Sequence, residues 1–406
     1  AAVVLCLTAR ASAAEDLVIG MSADFKGKSR ALGIELYRGA MAYFEGVNAE
    51  GGIHHRKIVI KAYNDNYEPA PAVDNTIELV EKDNVLLLFG YVGTPTTTRV
   101  LPLLKRYEKR DVLLFFPFTG AETVRRMPYE PFVYNLRASY QLETKDLVDF
   151  FVKVERKRVA VFYQVDAYGR TGWEGVRNAL AKHNDAKFVG EATYRRGVGF
   201  DESMREQVDI LRATNPDAVI SIGAYGPCAA FIRDARDAGW NVPIANVSFV
   251  GSESMLRLLQ KAGDKNGKDY TRFLLNSQVV PNYNDNLEAV REYREAMDKF
   301  DPLPPPEFRG TDYVKEKYSF VSLEGYLDAK VLTAILRKAK TPVERSGLRQ
   351  AADSIKDLDL GIGKDVRITF LRKDDEHQGM RQVYFTVVRD GQFMTLRDED
   401  WPEWRK

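Results

Sequence analysis

Val85-Leu-Leu-Leu-Phe89, followed by Gly90-Tyr-Val-Gly-Thr-Pro-Thr-Thr-Thr98, is the stretch that decides the fold. Its first five residues are all apolar, which is typical of a strand buried on both faces of a parallel sheet. Thr94 favours a helix N-cap, and Pro95 fits the first helical position because its missing N–H costs nothing there. A buried strand that leads into a helix is the repeating unit of an open α/β sheet.

The same alternation of strand and helix extends in both directions from this stretch. It predicts strands at 17–21, 57–63, 85–89 and 112–116, with helices at about 34–50, 70–82 and 95–109 between and after them. It restarts with strands at 158–163, 188–193, 217–222 and 243–247, and helices at about 170–183, 202–213 and 227–238. Two successive runs predict two doubly wound, mostly parallel sheets, and therefore two α/β lobes rather than one large sheet.

The C-terminal part follows a different pattern. Helices are predicted near 320–339 and 343–355, and strands at 367–370, 382–388 and 392–395. Arg389-Asp390-Gly391 separates the last two strands and favours a hairpin.

Length and charge limit the classes of function. The 406 residues are enough for two domains, each with its own core, and the net charge is +1. A balance so close to neutral gives no support for binding to nucleic acids or membrane surfaces. The apolar run Ala1–Leu7 precedes Ala11-Ser12-Ala13, which predicts a signal-peptide remnant over 1–13, cleavage near Ala13 and a periplasmic protein.

The signatures of common enzymes are absent. The sequence has no G-x-S-x-G and no H-E-x-x-H, and Gly361-Ile-Gly-Lys364 lacks both the first glycine and the final Ser or Thr of a P-loop. Cys228 has no histidine nearby, which favours a small buried apolar residue. The sequence therefore predicts no catalytic residue, no cofactor and no metal site.

Candidate ligand-binding residues stand where strands lead into helices, the usual ligand edge of open α/β sheets. The Thr94 hydroxyl, with free N–H groups of Thr96 and Thr97, is suited to hold a carboxylate at the positive end of its helix. The alternative is that Thr94 only caps this helix. Thr119 to Glu122 fits a capping box, which favours a structural role for that glutamate.

Three further positions point to a cleft. Gly120 permits a close approach of the backbone. Tyr168 and Tyr225 stand at equivalent strand-to-helix corners of the second run, where tyrosine rings can close over a ligand.

Taken together, these residues resemble the branched-chain amino-acid-binding (leucine/isoleucine/valine) family of periplasmic receptors, which have the type I periplasmic binding protein fold. The likeness runs from about Leu17 to about Thr395, and it lies in the order and spacing of several short stretches: Gly33-Ile34 to Gly52, Gly93-Thr94, Phe116–Gly120, Arg137-Ala-Ser139, Tyr163–Gly169 and Gly223–Gly239. The resemblance implies two lobes joined by three crossings, near 137, 280 and 350. It assigns 14–137 plus 281–350 to the first lobe, and 138–280 plus 351–406 to the second.

The resemblance also implies a set of ligand-binding residues: Thr94, Phe118, Thr119 and Gly120 from the first lobe, and Tyr168, Tyr225 and Ser248 from the second. Ser248 stands where the family often has an acidic residue for the ligand's ammonium group. This departure leaves two alternatives open. The ligand is an amino acid whose ammonium group meets Asp24, Asp166 or Glu324, or it is an aromatic or aliphatic carboxylate or amide.

The expected function is that of an exported solute-binding component of an ABC importer. It captures a small carboxylate-bearing ligand, an amino acid or a related compound, by hinge closure. The expected partners are this ligand and a membrane ABC permease, with no nucleic acid, and the protein is expected to be a monomer. The alternatives are the ligand-sensing receptor of a signalling system and an enzyme of the same fold.

Overall fold

A computed structural model describes residues 15–309, 313–371 and 377–405. The predicted signal-peptide remnant lies outside these residues. Within them, no helix combines the length and the apolar character that crossing a membrane requires.

The first sheet is built from β1 (Leu17–Ala23), β2 (Ile58–Asn64), β3 (Leu88–Phe89), β4 (Leu114–Phe115) and β5 (Val133–Tyr134). Its five strands are parallel, in the order β2-β1-β3-β4-β5. The helices α1 (Arg30–Ala49), α2 (Pro69–Glu81) and α3 (Thr94–Arg106) connect them. This order reverses direction on either side of β1, which is the arrangement of a doubly wound sheet.

The second sheet has seven strands in the order β14-β13-β10-β9-β8-β6-β7. Its elements, with the remaining ones in chain order, are α4 (Tyr140–Lys153), β6 (Arg158–Gln164), α5 (Ala167–Leu180), β7 (Lys187–Tyr194), α6 (Arg205–Ala213), β8 (Ala218–Ile222), α7 (Tyr225–Asp237), β9 (Ile244–Asn246), α8 (Ser252–Asn266), β10 (Leu274–Gln278), α9 (Glu288–Phe300), α10 (Phe320–Lys338), α11 (Arg345–Asp353), β11 (Leu358–Asp359), β12 (Arg367–Ile368), β13 (Tyr384–Arg389), β14 (Gln392–Thr395) and α12 (Trp401–Trp404). β11 and β12 form a separate antiparallel pair.

The predicted fold class is confirmed, since two doubly wound, mostly parallel sheets form two lobes. The predicted hairpin is present as β13 and β14, and its two turn residues, Asp390 and Gly391, have φ angles of 48° and 72°. Positive φ at both positions is what a two-residue type I′ turn requires.

Two predicted strands are much shorter than the apolar runs that indicated them. β3 and β4 contain only two residues each, although 112–116 and all of 85–89 except the half-buried Leu86 are buried. The chain leaves β4 at Phe116, whose φ is 54°, and this turns the following loop towards the edge of the sheet. The periodicity gave no prediction for α4, α8 or α9.

The division of the chain between the lobes stays a prediction. Within 351–406, the hairpin lies in the seven-stranded sheet. Phe370 instead packs against Phe116 and Tyr134 beside the first sheet, with ring centroids 6.0 and 5.3 Å apart.

α1 and α10 lie in backbone contact. A Cβ atom on Gly39 would stand 1.8 Å from the carbonyl oxygen of Ser322, and one on Gly325 would stand 2.2 Å from that of Leu36. Only glycine leaves room for so close an approach. The contact buries most of α10, including the carboxyl groups of Glu324 and Asp328.

Gly39→Ala is expected to destabilise the protein by at least about 1–3 kcal/mol, because the new methyl group overlaps a backbone carbonyl that cannot move alone. Gly46→Ala on the same helix is the control. Its Cβ would meet only Phe300, at 3.7 Å, so the change should be neutral or stabilising by up to about 1 kcal/mol. Urea unfolding measures both, and equal stabilities of the two variants would contradict the packing described.

Candidate functional site

The hydroxyl groups of Thr94 and Thr119 meet where two strand-to-helix connections of the first sheet converge. Their Oγ1 atoms are 2.7 Å apart and both side chains are buried. The N-cap of α3 is Gly93, with φ of 103°, and not Thr94 as predicted. A Cβ at Gly93 would stand 2.1 Å from the Tyr67 ring, so this turn requires glycine. Thr94 therefore lies in the first helical turn, where its hydroxyl is free to face Thr119.

The predicted carboxylate cradle at the start of α3 is partly wrong. The Thr97 N–H donates to the Gly93 carbonyl at 3.0 Å and is not free for a ligand. The predicted capping box is wrong as well, because the Thr119 hydroxyl accepts from the Ala121 N–H at 3.2 Å while Glu122 pairs with Arg126. Since one shared hydrogen bond uses only one of two hydroxyl hydrogens, the Thr94–Thr119 pair keeps a donor for another acceptor.

Tyr140 covers the pair from the start of α4. Its N–H donates to the Gly120 carbonyl at 2.8 Å, and a Cβ on Gly120 would stand 2.5 Å from the Tyr140 ring. The Tyr140 hydroxyl lies close enough to Thr94 and the Gly120 backbone for both to lower its pKa, yet it makes no hydrogen bond of normal geometry among the described residues. Burial raises its pKa, and the Arg137 charge opposes that rise. A buried hydroxyl without a partner is costly, so this group is suited to meet a polar ligand atom.

Aromatic rings from both sheets meet around Phe249. Phe118, from the loop after β4, lies 5.4 Å from the Phe249 ring, and Tyr168, from α5, lies 4.7 Å from it. Tyr67 is 6.0 Å away, and Tyr140 packs on Tyr168 at 5.1 Å. We call these five residues the aromatic cluster. All five are buried, so they form an apolar surface between the sheets.

Ser248 is hydrogen-bonded to a buried carboxylate, that of Glu143. Its N–H donates to Glu143 Oε2 at 2.8 Å, and its hydroxyl donates to Oε1 at 3.0 Å. The Ser277 hydroxyl donates to the same carboxylate at 2.6 Å. Ser248 Oγ also accepts a hydrogen bond from Nη2 of Arg137. The hydrogen-bonding groups of Ser248 are thus used within the protein.

Arg137 joins this network to the aromatic cluster. Its guanidinium lies over the Phe118 ring at 4.3 Å and is 1% exposed. Nε is 3.5 Å from Glu324 Oε1, and Nη2 is 3.9 Å from Glu143 Oε1. Neither Nε nor Nη1 makes a hydrogen bond within the part of the chain that the structure describes. A guanidinium has five N–H donors, so most of its donor capacity here is unused.

The acidic groups of α10 face Arg137 from the first lobe. Burial raises the pKa of Glu324 to about 7, since the attraction of Arg137 does not offset the lost hydration. Burial and the neighbouring Glu324 carboxyl raise the pKa of Asp328 well above its usual range. Both groups therefore hold protons at pH values where an exposed carboxyl is ionised.

Tyr225 lies apart from the aromatic cluster, at the outer edge of the interface. Its hydroxyl accepts from the Ala31 N–H at 3.4 Å. Beside it is a cavity of about 450 Å³, lined on one side by residues 26–28 and Arg30 and on the other by residues 199–201, among others. The structure brings the other six predicted residues together. They are Thr94, Phe118, Thr119, Gly120, Tyr168 and Ser248.

The two lobes are linked on both flanks of the site. On one flank Lys28 pairs with Asp201 at 3.6 Å, and on the other Arg196 pairs with Glu68 at 2.7 Å. Gln164 also donates to the Tyr67 hydroxyl at 3.4 Å. These contacts describe a closed arrangement of the lobes.

Two other carboxylates considered for an ammonium group have structural partners. Asp24 accepts from the backbone N–H groups of Lys26 and Ser29, at 3.1 and 2.9 Å. Asp166 caps α5 by accepting from the Tyr168 N–H at 3.0 Å, and it pairs with Arg196. Among the described residues no group of three or more His, Cys, Asp or Glu side chains is arranged to hold a metal ion.

Five members of the site were not predicted from the sequence: Tyr67, Arg137, Tyr140, Glu143 and Phe249. Phe249 directly follows Ser248, which was predicted as a site residue at the end of β9. Arg137 is a lone charge in the apolar stretch Tyr134-Asn-Leu-Arg-Ala138, just after β5. An isolated charge at a strand end was the available signal.

Comparison with known proteins gives one family. Residues 16–392 match the family described as periplasmic binding protein. A possible leucine/isoleucine/valine-binding protein from Rhodopirellula baltica SH 1 has a similar structure, with a TM-score of 0.83 and 30% identity, covering 97% of this chain and 98% of that one.

Two further relatives are more distant in sequence. The Leu/Ile/Val-binding protein homolog 7 of Brucella melitensis is 24% identical, over 96% of this chain and 93% of its own length. A fatty acid ABC transporter substrate-binding protein from Thermomonospora curvata shares the fold, with a TM-score of 0.77 and 20% identity over 94% and 92% of the two chains.

Glu324→Gln is expected to raise the melting temperature relative to the wild type, and the difference should grow from about pH 4.5 to about pH 7 and then level off. The pKa of Glu324 is about 7 in the folded protein and its ordinary value is 4.5, so the wild type loses stability as pH rises from the lower value through the higher one. Glutamine has no such proton to lose. Thermal unfolding across this range tests the prediction, with Glu45→Gln on exposed α1 surface as control. A difference independent of pH would contradict it.

Proposed function

The chain belongs to the periplasmic binding protein family, and we propose that it is the solute-binding component of an ABC importer that captures a small carboxylate-bearing ligand between its lobes. Members of this family are extracytoplasmic solute-binding proteins and not enzymes, and this holds for the present chain. The importer, the ligand class and cleavage near Ala13 belong to the proposal.

One observation carries the choice of ligand site. Polar groups without partners face a region between the lobes that is otherwise apolar. Among the residues that the structure describes, the Tyr140 hydroxyl and two nitrogens of Arg137 make no hydrogen bonds, and the Thr94–Thr119 pair keeps a hydroxyl donor. Buried polar groups are normally paired in proteins. A small ligand with an apolar body and one oxygen-rich end satisfies these groups and fills the cleft.

Closure follows from the arrangement of the predicted ligand contacts. Thr94, Phe118, Thr119 and Gly120 are attached to the first sheet, whereas Tyr168, Tyr225 and Ser248 are attached to the second. A ligand that touches both sets favours the closed arrangement, because it contacts one set only when the lobes open. We propose that a membrane permease recognises this closed form of a monomeric receptor.

The aromatic cluster favours a second ligand class within the same function. Phe118, Tyr168 and Phe249 present flat apolar faces, and aromatic rings pack well against other rings or against aliphatic chains. An aromatic or aliphatic carboxylate or amide fits these faces as well as an amino acid does. A ligand-sensing receptor would use the same site and differs only in its partner.

Thr94→Ala is expected to weaken binding by roughly 1.5–3 kcal/mol, the range for hydrogen bonds to charged groups, which is on the order of tenfold in Kd. Thr94→Ser keeps the hydroxyl and should bind nearly as the wild type. Native mass spectrometry of the purified protein identifies the retained small molecule, and calorimetry with that molecule measures the three affinities.

Thr98→Ala is the matched control on the same helix. The Thr98 hydroxyl donates to the Thr94 carbonyl at 2.7 Å and has no contact with Thr119, so its loss should leave affinity within about twofold. Equal affinities of Thr94→Ala and Thr98→Ala would remove the hydroxyl pair from the ligand site.

A further inference from the structure

We propose that Arg137 is a ligand-binding residue whose unpaired guanidinium donors supply the positive charge for the ligand's anionic group, so that the ligand is an organic carboxylate without an ammonium group beside it. This inference rests on the proposed function and narrows it to one ligand class. It selects a carboxylate as the ligand over an amide or an amino acid, a choice that the Thr94–Thr119 pair alone does not decide.

Most N–H donors of Arg137 have no partner among the described residues. Of the five N–H donors of Arg137, the structure pairs only Nη2, with the hydroxyl of Ser248. Nε and Nη1 are buried and make no hydrogen bond among the described residues. Arg236 is a buried arginine with fewer unused donors, because its Nη1 and Nη2 donate to the carbonyls of Trp240 and Arg272 and only its Nε lacks a partner among the described residues. A buried guanidinium that keeps free donors is suited to receive an anion.

Two carboxyl groups, those of Glu143 and Glu324, lie within 4 Å of the Arg137 guanidinium. The Glu143 carboxylate is already satisfied by three hydroxyl and amide donors from Ser248 and Ser277. Glu324 faces the guanidinium at 3.5 Å without a hydrogen bond to it. Asp328 lies further along the same buried helix face, where burial and the neighbouring Glu324 raise the pKa of its carboxyl well above the usual range. Because Glu143 is held by donors other than Nε and Nη1 of Arg137, those two nitrogens can meet a ligand anion when Glu324 keeps its proton.

A ligand ammonium beside Arg137 would place two positive charges close together in a buried region, where their repulsion is much stronger than in solution. Of the acids that could offset it, Asp24 is bound in its own loop, and Asp166 caps α5 and pairs with Arg196. Glu324 faces Arg137, but burial raises its pKa to about 7, so it would have to lose a proton that its surroundings favour. A carboxylate is instead attracted to the guanidinium.

Arg137 lies against the aromatic cluster. The guanidinium covers one face of Phe118, and the ring of Phe249 packs against Phe118 at 5.4 Å. Tyr140 lies within 5.9 Å of the guanidinium by its ring and carries the unpartnered hydroxyl near Thr94. The Arg137 guanidinium, the aromatic cluster and the Thr94–Thr119 pair thus border one site. Phe118 of the cluster directly precedes Thr119 in the chain.

The experiment compares probes that differ only at the polar end. 4-Methylpentanoate, 4-methylpentanamide, isoamylamine and L-leucine share an aliphatic body, and benzoate, benzamide and benzylamine form an aromatic series. Calorimetry or thermal shift at millimolar probe is expected to show that the wild type binds the carboxylate of a series at least about tenfold more tightly than its amide. Preference for an amine, an amide or leucine overturns the inference while leaving the proposed function intact. Binding of no probe contradicts the proposed function, and the inference with it.

Variants then assign the preference to Arg137. Arg137→Gln is expected to reduce the carboxylate-to-amide ratio to within about threefold, because only the charged probe loses a partner. Thr94→Ala should weaken both probes while the carboxylate stays preferred, and Arg236→Gln, which removes another buried guanidinium, should leave the ratio unchanged. A preserved ratio in Arg137→Gln overturns the inference. Should that variant not fold, the probe preferences of the wild type decide the question alone.

Discussion

A buried guanidinium between the two lobes is the constraint on which the rest of the site depends. Arg137 leaves the end of β5 and reaches Ser248 and Glu143 of the second lobe and Glu324 of the first. A charge removed from water is tolerated only when its surroundings are polar and fixed. This explains why three donors immobilise Glu143, and why a carboxyl-rich helix packs so deeply beside the site.

Small residues set the positions of the functional groups. Gly39 and Gly325 allow α1 and α10 to touch, which carries Glu324 to the guanidinium. Gly93 and Gly120 let the rings of Tyr67 and Tyr140 lie directly on the two loops that hold the hydroxyl pair. At each of these four positions a methyl group would overlap a neighbouring atom. The polar and aromatic groups of the site belong to large side chains, but the four glycines determine where those side chains lie.

The fold was predictable from sequence because buried parallel strands are continuous apolar runs, and the helices between them keep a regular period. The local geometry of the site was less so. Thr94 was predicted as a cap, yet the positive φ of Gly93 moves the start of α3 by one residue and frees the hydroxyl. Pairings such as Arg137 with Ser248 join residues 111 positions apart, and no local pattern indicates them. Whether the predicted residues bind the ligand, and where the lobes divide, stay predictions.

The central claim is that the lobes close on a small ligand. Small-angle X-ray scattering of the protein, first freed of any retained molecule and then saturated with a carboxylate that it binds, tests this most directly. The contacts that link the lobes, such as Arg196 with Glu68, are exposed and individually weak, so they are not expected to hold the closed form alone. The account predicts a smaller radius of gyration with ligand. An identical radius in both states would contradict it.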